Sequence, residues 1–221
     1  MFAAGGVRCY TGAMSFVLVD RPRPHVALVT LNNPARLNAM SFALVEALYD
    51  ALARVGADND VWTVVLTGAG KAFCAGLDLE DKAPPPGSDG MGLARLGMRA
   101  MAYMSGVVPA MRAIPQPIVA AVNGAAYGGG MCLTLGADVR YAGASAVFCG
   151  AGITNGLTGS ELGVTYLLPR AVGSSHAAEI LLTGRKVDAA EAARIGLVSR
   201  VVADGAVVDA ALETASVMCE L

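Results

Sequence analysis

The chain has 221 residues, 55 % of them hydrophobic and 15 % charged, a balance that excludes a disordered polymer. With 16 basic and 18 acidic residues the net charge is −2, so neither a nucleic-acid footprint nor a polybasic membrane patch is present. The length fits one large domain, or a domain with an appendage.

In chain order, Met1 to Ala13 shows no periodicity and reads as a flexible tail, with Met14 as a possible native start. Two short apolar runs, Phe16 to Val19 and His25 to Leu31, flank the turn-forming Arg21-Pro22-Arg23-Pro24 and predict a hairpin. Ser41 caps a predicted helix through about Val55, with Leu44, Val45, Leu48, Leu52 and Val55 as its apolar stripe. Val61 to Leu66 is a continuous apolar run, expected as a strand buried on both faces. Lys82 to Gly92 is a proline- and glycine-rich loop, and the methionine-rich stretch Leu93 to Ile114 reads as helix. Strand, helix and strand follow at Pro117 to Val122, Gly128 to Gly136 and Ala137 to Tyr141. Helices are predicted at Glu161 to Leu168, Ser174 to Leu182 and Asp188 to Ile195, with a last strand at Val198 to Val202. The alternation of strand and helix makes the class α/β.

The stretch Ala113 to Ala137 carries no charge and is long enough to cross a bilayer. Its two prolines, its asparagine and its run of three glycines suit a buried strand-turn-helix instead, so no membrane span is expected. The five cysteines contain no CxxC pair, and His25 and His176 stand alone. Neither a disulfide framework nor a metal site is suggested, and a reducing, cytoplasmic compartment fits best.

The glycines do not form a nucleotide-binding signature. Lys71 after Gly68-Ala69-Gly70 is followed by Ala72 where a phosphate loop needs Ser or Thr, and no GxSxG elbow occurs. Two segments read better as ligand-facing backbone: Val64 to Leu79, with its FCAGLDL stretch, and Ile118 to Gly130, ending in NGAAYGGG. Each pairs a buried strand with small residues against which a ligand can lie, and the second opens a helix whose first N–H groups are unpaired. Two such donors converging on one oxygen make an oxyanion hole.

Together with Asn33-Pro34-Ala35-Arg36-Leu37-Asn38-Ala39-Met40, these segments closely resemble the crotonase superfamily, or enoyl-CoA hydratase/isomerase family. Further matches are Ala137 to Ala142, Leu168-Pro169-Arg170, Leu182 to Arg185 and Ala192 to Val198, all in the family's order. The resemblance implies a crotonase (ClpP-like) spiral of ββα units with C-terminal helices, a homotrimer or dimer of trimers, and an acyl-CoA substrate of fatty acid metabolism. No separate cofactor is implied, since coenzyme A arrives as the substrate's thioester. It divides the chain into the tail 1–13, a core 14–202, and a segment 203–221 that begins the C-terminal helices and stops short of them.

The resemblance also assigns residues. The thioester oxygen would sit between the N–H groups of Leu77 and Gly129. Coenzyme A would run along the backbone at Arg36, Leu37, Ala75, Asp78 and Leu79. The two glutamates with which hydratases activate water fall at Cys132 and Gly152, where this chain has no carboxylate. Glu161 aligns with a position where isomerases can carry an acid; a helix N-terminal glutamate stabilised by the dipole is the equal alternative. Asp78 and Asp138 read as structural. The expected activity is that of a lyase or isomerase, isomerisation or weak hydration with Glu161 as base. Thioester hydrolysis, decarboxylation and acyl-CoA binding without catalysis are the alternatives.

Overall fold

The apolar run Thr63–Gly68 (β3) is buried at every position, as its lack of polar alternation demands. It lies inside a six-stranded sheet seen in the computed structural model, which describes residues 15–156 and 159–220. The expected tail and the alternative start at Met14 fall outside the described residues. The sheet begins with the antiparallel hairpin Val17–Arg23 (β1) and Val26–Leu31 (β2), and continues in parallel through β3, Ile118–Val122 (β5), Val139–Gly143 (β7) and Arg200–Val202 (β10). The first strand runs through Arg21-Pro22-Arg23, beyond its predicted end, and the chain reverses at His25, whose φ is 59°.

A second sheet holds four strands of three residues each: Ala72–Cys74 (β4), Ala125–Tyr127 (β6), Val147–Cys149 (β8) and Lys186–Asp188 (β9). β4, β6 and β8 run parallel and β9 closes the sheet antiparallel to β8. These short strands are too brief to leave a period-2 pattern, and the sequence reading did not separate them. They complete the spiral, because β3–β4, β5–β6 and β7–β8 each place one strand in either sheet before a helix returns.

The helices follow the predicted stripes with two differences. Phe42–Gly56 (α1) begins where Ser41 accepts a hydrogen bond from the Leu44 N–H. The long predicted helix is two, Leu93–Ser105 (α2) and Val107–Ala113 (α3), meeting at Gly106. A methyl group there would lie 2.6 Å from the Tyr49 hydroxyl. Gly129–Gly136 (α4) is buried throughout. The helix predicted from Glu161 starts instead at Val164 and runs to Val172 (α5). Glu161–Gly163 is a separate 3₁₀ turn ended by Leu162 and Gly163 at φ 49° and 77°, a conformation no α-helix continues through. Ser174–Thr183 (α6), Ala189–Arg194 (α7, capped by Asp188) and Val207–Met218 (α8) complete the order.

Alternation along β3 and β5 divides the core. Val64, Leu66, Ile118, Ala120 and Val122 face the larger cluster that holds α1, α3 and α4. Val65, Val119 and Ala121 face the other side, where α8 lays down Val207, Ala211, Leu212 and Ala215. Leu212→Ala is expected to cost about 2–5 kcal/mol in urea unfolding, because the cavity would open directly on the sheet.

Candidate active site

The segment after β4 owes its position to backbone pairing with residues Leu37 to Met40. The Ala75 N–H donates to the Leu37 carbonyl at 3.0 Å, and the Met40 N–H to the Gly76 carbonyl at 2.7 Å. The Asp78 N–H then donates to the Met40 carbonyl at 3.2 Å, which makes Met40 and Leu77 partners in a parallel bridge. In such a bridge the central residue's own N–H points away from its partner. The Leu77 N–H accordingly has no backbone acceptor among the described residues.

Gly76, at φ 93°, turns the chain in a way only glycine tolerates well. A methyl group on it would lie 2.7 Å from the Tyr127 carbonyl oxygen and 3.4 Å from the Gly129 nitrogen. The peptide carrying the Leu77 N–H is thus set beside Gly129. On that side, Gly128 adopts φ 50° and ψ −116° and donates to the Cys149 carbonyl at 2.9 Å. Gly129 opens α4, and its N–H likewise meets no backbone acceptor among the described residues.

Two apolar side chains that the sequence reading did not single out flank this spot. A methyl group on Gly129 would touch the Met40 sulfur at 2.6 Å and Leu162 Cδ2 at 3.7 Å. Leu162 is buried despite its left-handed backbone, so the 3₁₀ turn Glu161–Gly163 is pressed inward against α4, α3 and α2. Glu161 opens the 3₁₀ turn that precedes α5 and lies outside the first turn of α5 itself; its side chain lies outside the described residues.

Cys132 is buried one turn into α4, and Gly152 is buried at the start of the 3₁₀ turn Ile153–Asn155. Gly152 has φ −57° and ψ −53°, angles open to any residue. Neither position holds a carboxylate. Cys74, wholly buried beneath the site, has its thiol pushed up to about 12 by desolvation, so it stays neutral. No cluster of metal-ligating side chains occurs among the described residues. Nor is any described helix long and apolar enough to cross a membrane.

At Asp78 lies an open groove of about 380 Å³ whose lining includes Phe16, Asn33, Arg36, Ser41 and Asp81. Arg36 crosses it, donating to Asp78 Oδ1 at 2.6 Å and to Glu80 Oε2 at 2.7 Å. Its side chain is therefore engaged with the protein. Leu37 is in the left-handed region at φ 52°, Ala75 is half-buried, and Leu79 is 70 % exposed. Asp138 accepts from the Ile118 N–H at 2.9 Å and pairs with Arg112 at 3.1 Å, a structural arrangement as expected.

The hydrogen bond from Arg36 is the main cause that holds the Asp78 carboxyl below the ordinary aspartate range. Its stabilising contribution is present above the unfolded aspartate value and is lost as pH falls through the folded one. In Arg36→Met the Asp78 carboxyl should titrate at higher pH, read by carbon-detected NMR, with acid unfolding beginning earlier.

Comparison with known proteins supplies the family. The family model for enoyl-CoA hydratase/isomerase matches residues 23–220. The chain is 50 % identical over 216 residues to the probable enoyl-CoA hydratase echA12 of Mycobacterium bovis, covering 98 % of this chain and 76 % of that one. It is 35 % identical to the 1,2-epoxyphenylacetyl-CoA isomerase of Escherichia coli, covering 91 % and 75 %. Among solved structures, a probable enoyl-CoA hydratase/isomerase from Mycobacterium abscessus superposes with a TM-score of 0.89 at 50 % identity, covering 94 % and 77 %. A monofunctional enoyl CoA isomerase from M. smegmatis gives 0.78 at 48 %, covering 94 % and 86 %. With the ββα spiral, the ordered motifs and these matches in agreement, the chain belongs to the enoyl-CoA hydratase/isomerase family of the crotonase superfamily and is an enzyme of that family.

Proposed function

We propose that this enzyme acts on acyl-CoA thioesters of fatty acid metabolism and favours double-bond migration over hydration. One observation carries the reading: the Leu77 peptide lies against Gly129, each with an N–H that no described backbone carbonyl takes up, while positions 132 and 152 lack carboxylates. The two N–H groups would receive the thioester oxygen as its carbonyl becomes an enolate, each donor being worth roughly 3–4 kcal/mol in such sites. Coenzyme A would lie along Arg36, Leu37, Ala75, Asp78 and Leu79, mostly through backbone.

Hydration needs a water held between two acceptors, and a thiol and a hydrogen atom provide neither. Isomerisation needs one base. Glu161 would take a proton from C2 of a 3-enoyl thioester, leaving a dienolate whose oxygen rests on Leu77 and Gly129. Return of that proton to C4 moves the double bond to C2–C3, and the carboxylate is regenerated. The name of the M. smegmatis relative, a monofunctional enoyl CoA isomerase, supports this choice. The same reading includes self-assembly as a homotrimer or dimer of trimers, and a cytoplasmic location.

Glu161→Gln keeps the shape and removes the base, and should lower isomerisation roughly 10²–10⁴-fold. Cys132→Glu with Gly152→Glu should raise hydration of crotonyl-CoA, since the backbone at 152 admits a side chain. Rapid wild-type hydration untouched by Glu161→Gln would refute the assignment.

Gly129→Pro removes one donor at a helix position where proline is tolerated, although Met40 must yield. Turnover of the substrate thioester should fall roughly 10²-fold or more, while binding persists in calorimetry.

A further inference from the structure

The turn between β3 and β4 makes almost no ladder of its own, and two asparagine side chains hold it from opposite sides. Asn38, with no exposed surface, donates through Nδ2 to the carbonyls of Ala69 and Ala72 at 2.9 Å and of Phe73 at 3.2 Å. Its Oδ1 accepts from the Asn33 N–H at 2.8 Å, so the same amide also closes its own loop. Asn123 donates to the carbonyls of Gly70 at 2.9 Å and Ala72 at 3.4 Å, and accepts from the Gly68 N–H at 3.3 Å. Between them the two amides engage the carbonyls of Ala69, Gly70, Ala72 and Phe73. The remaining carbonyl of that run, Lys71, lies where a methyl group on Gly124 would sit, at 2.1 Å.

The two clamps belong to the two chains that meet at the site. Asn38 stands two residues before Met40, the bridge partner of Leu77. Asn123 directly follows β5 and leads through β6 to Gly129. The turn they share feeds β4 and, three residues further on, Leu77. Each amide therefore ties the turn to one side of the pair of N–H groups.

We propose that Asn38 and Asn123 are paired positioning residues that set the separation and direction of the Leu77 and Gly129 N–H groups; this rests on the acyl-CoA reading above. Loss of either side chain leaves carbonyls of the turn without donors, and the turn must shift to find water. A displacement of about 1 Å at a reacting group can cost about 10²-fold in rate without destroying binding.

The test uses 4-dimethylaminocinnamoyl-CoA, whose absorption moves to longer wavelength when hydrogen-bond donors polarise its thioester carbonyl. Asn38→Ser, Asn123→Ser and the double variant are compared with wild type for this shift, for probe affinity and for melting temperature. Gln116→Leu is the control, because Gln116 also donates from a buried amide to two carbonyls, those of Val55 and Val61, away from the site. Each asparagine variant should bind the probe within about threefold of wild type yet lose half or more of the red shift, with kcat down about tenfold and KM little changed. The double variant should lose less than the product of the single losses, as coupled groups do. Gln116→Leu should melt earlier with the full shift and kcat.

Full red shift and normal kcat in folded asparagine variants would overturn the inference. Asn123 is only half-buried, so Asn123→Ser carries the test if Asn38→Ser does not fold. A wild-type protein that binds the probe without any shift would overturn the two-donor reading itself, and so separates the two failures.

Discussion

The architecture depends on backbone meeting backbone with no side chain between. A methyl group on Gly130 would lie 2.1 Å from the Cys74 carbonyl oxygen, and one on Gly76 2.7 Å from that of Tyr127. The same holds at Gly124 against Lys71. These contacts are shorter than any Cβ can make, so the segment after β3 and the segment after β5 approach only because glycine stands at each crossing. The short β4 and β6 pair there, the spiral steps from one sheet to the next, and α4 opens with Gly129 beside Gly76. The motifs that look like loose glycine-rich loops in the sequence are places of close backbone packing.

Close packing of this kind leaves the chemistry to peptide groups and to the few side chains at the rim. The interior beneath the site holds Cys74, kept neutral by burial, and Met40, whose flexible thioether fills the space beside Gly129. Charge stays at the edge, where Arg36 bridges Asp78 and Glu80 across the groove. Asp81 from the same stretch accepts from the Phe42 N–H at the start of α1. The residues following Leu77 are therefore anchored to the helix that follows Met40, and the rim moves with the frame. On the proposed reading the substrate is held through backbone, and side chains at positions such as 132 and 152 can then change without loss of the platform.

Much of this was legible in the residues. The Ser41 cap, the stripe from Leu44 to Val55 and the continuous run ending in Leu66 each report a single local rule, and each element formed within a few residues of its expected bounds. The family resemblance that the ordered motifs carry assigned Leu77 and Gly129. The helix expected from Glu161 did not form there, because an apolar period says nothing about the backbone of Leu162, which gives up helical geometry to bury its side chain beside Gly129. Asn38 and Asn123 were visible as letters within motifs, but an asparagine in a turn ordinarily bonds its own neighbours. Their acceptors lie 31 to 53 residues away in sequence.

By itself, then, the sequence determined the α/β class, the family, the absence of the two hydratase carboxylates and the placement of small residues where chains cross. Those properties follow from residue identity and local spacing, which tertiary contacts cannot alter. The tertiary structure alone decided that Gly76 lies beside Gly129, that Arg36 is engaged with Asp78 and Glu80, and that two distant asparagines hold one turn. Such facts depend on distances between segments far apart in the chain, and no local periodicity encodes a distance of that kind.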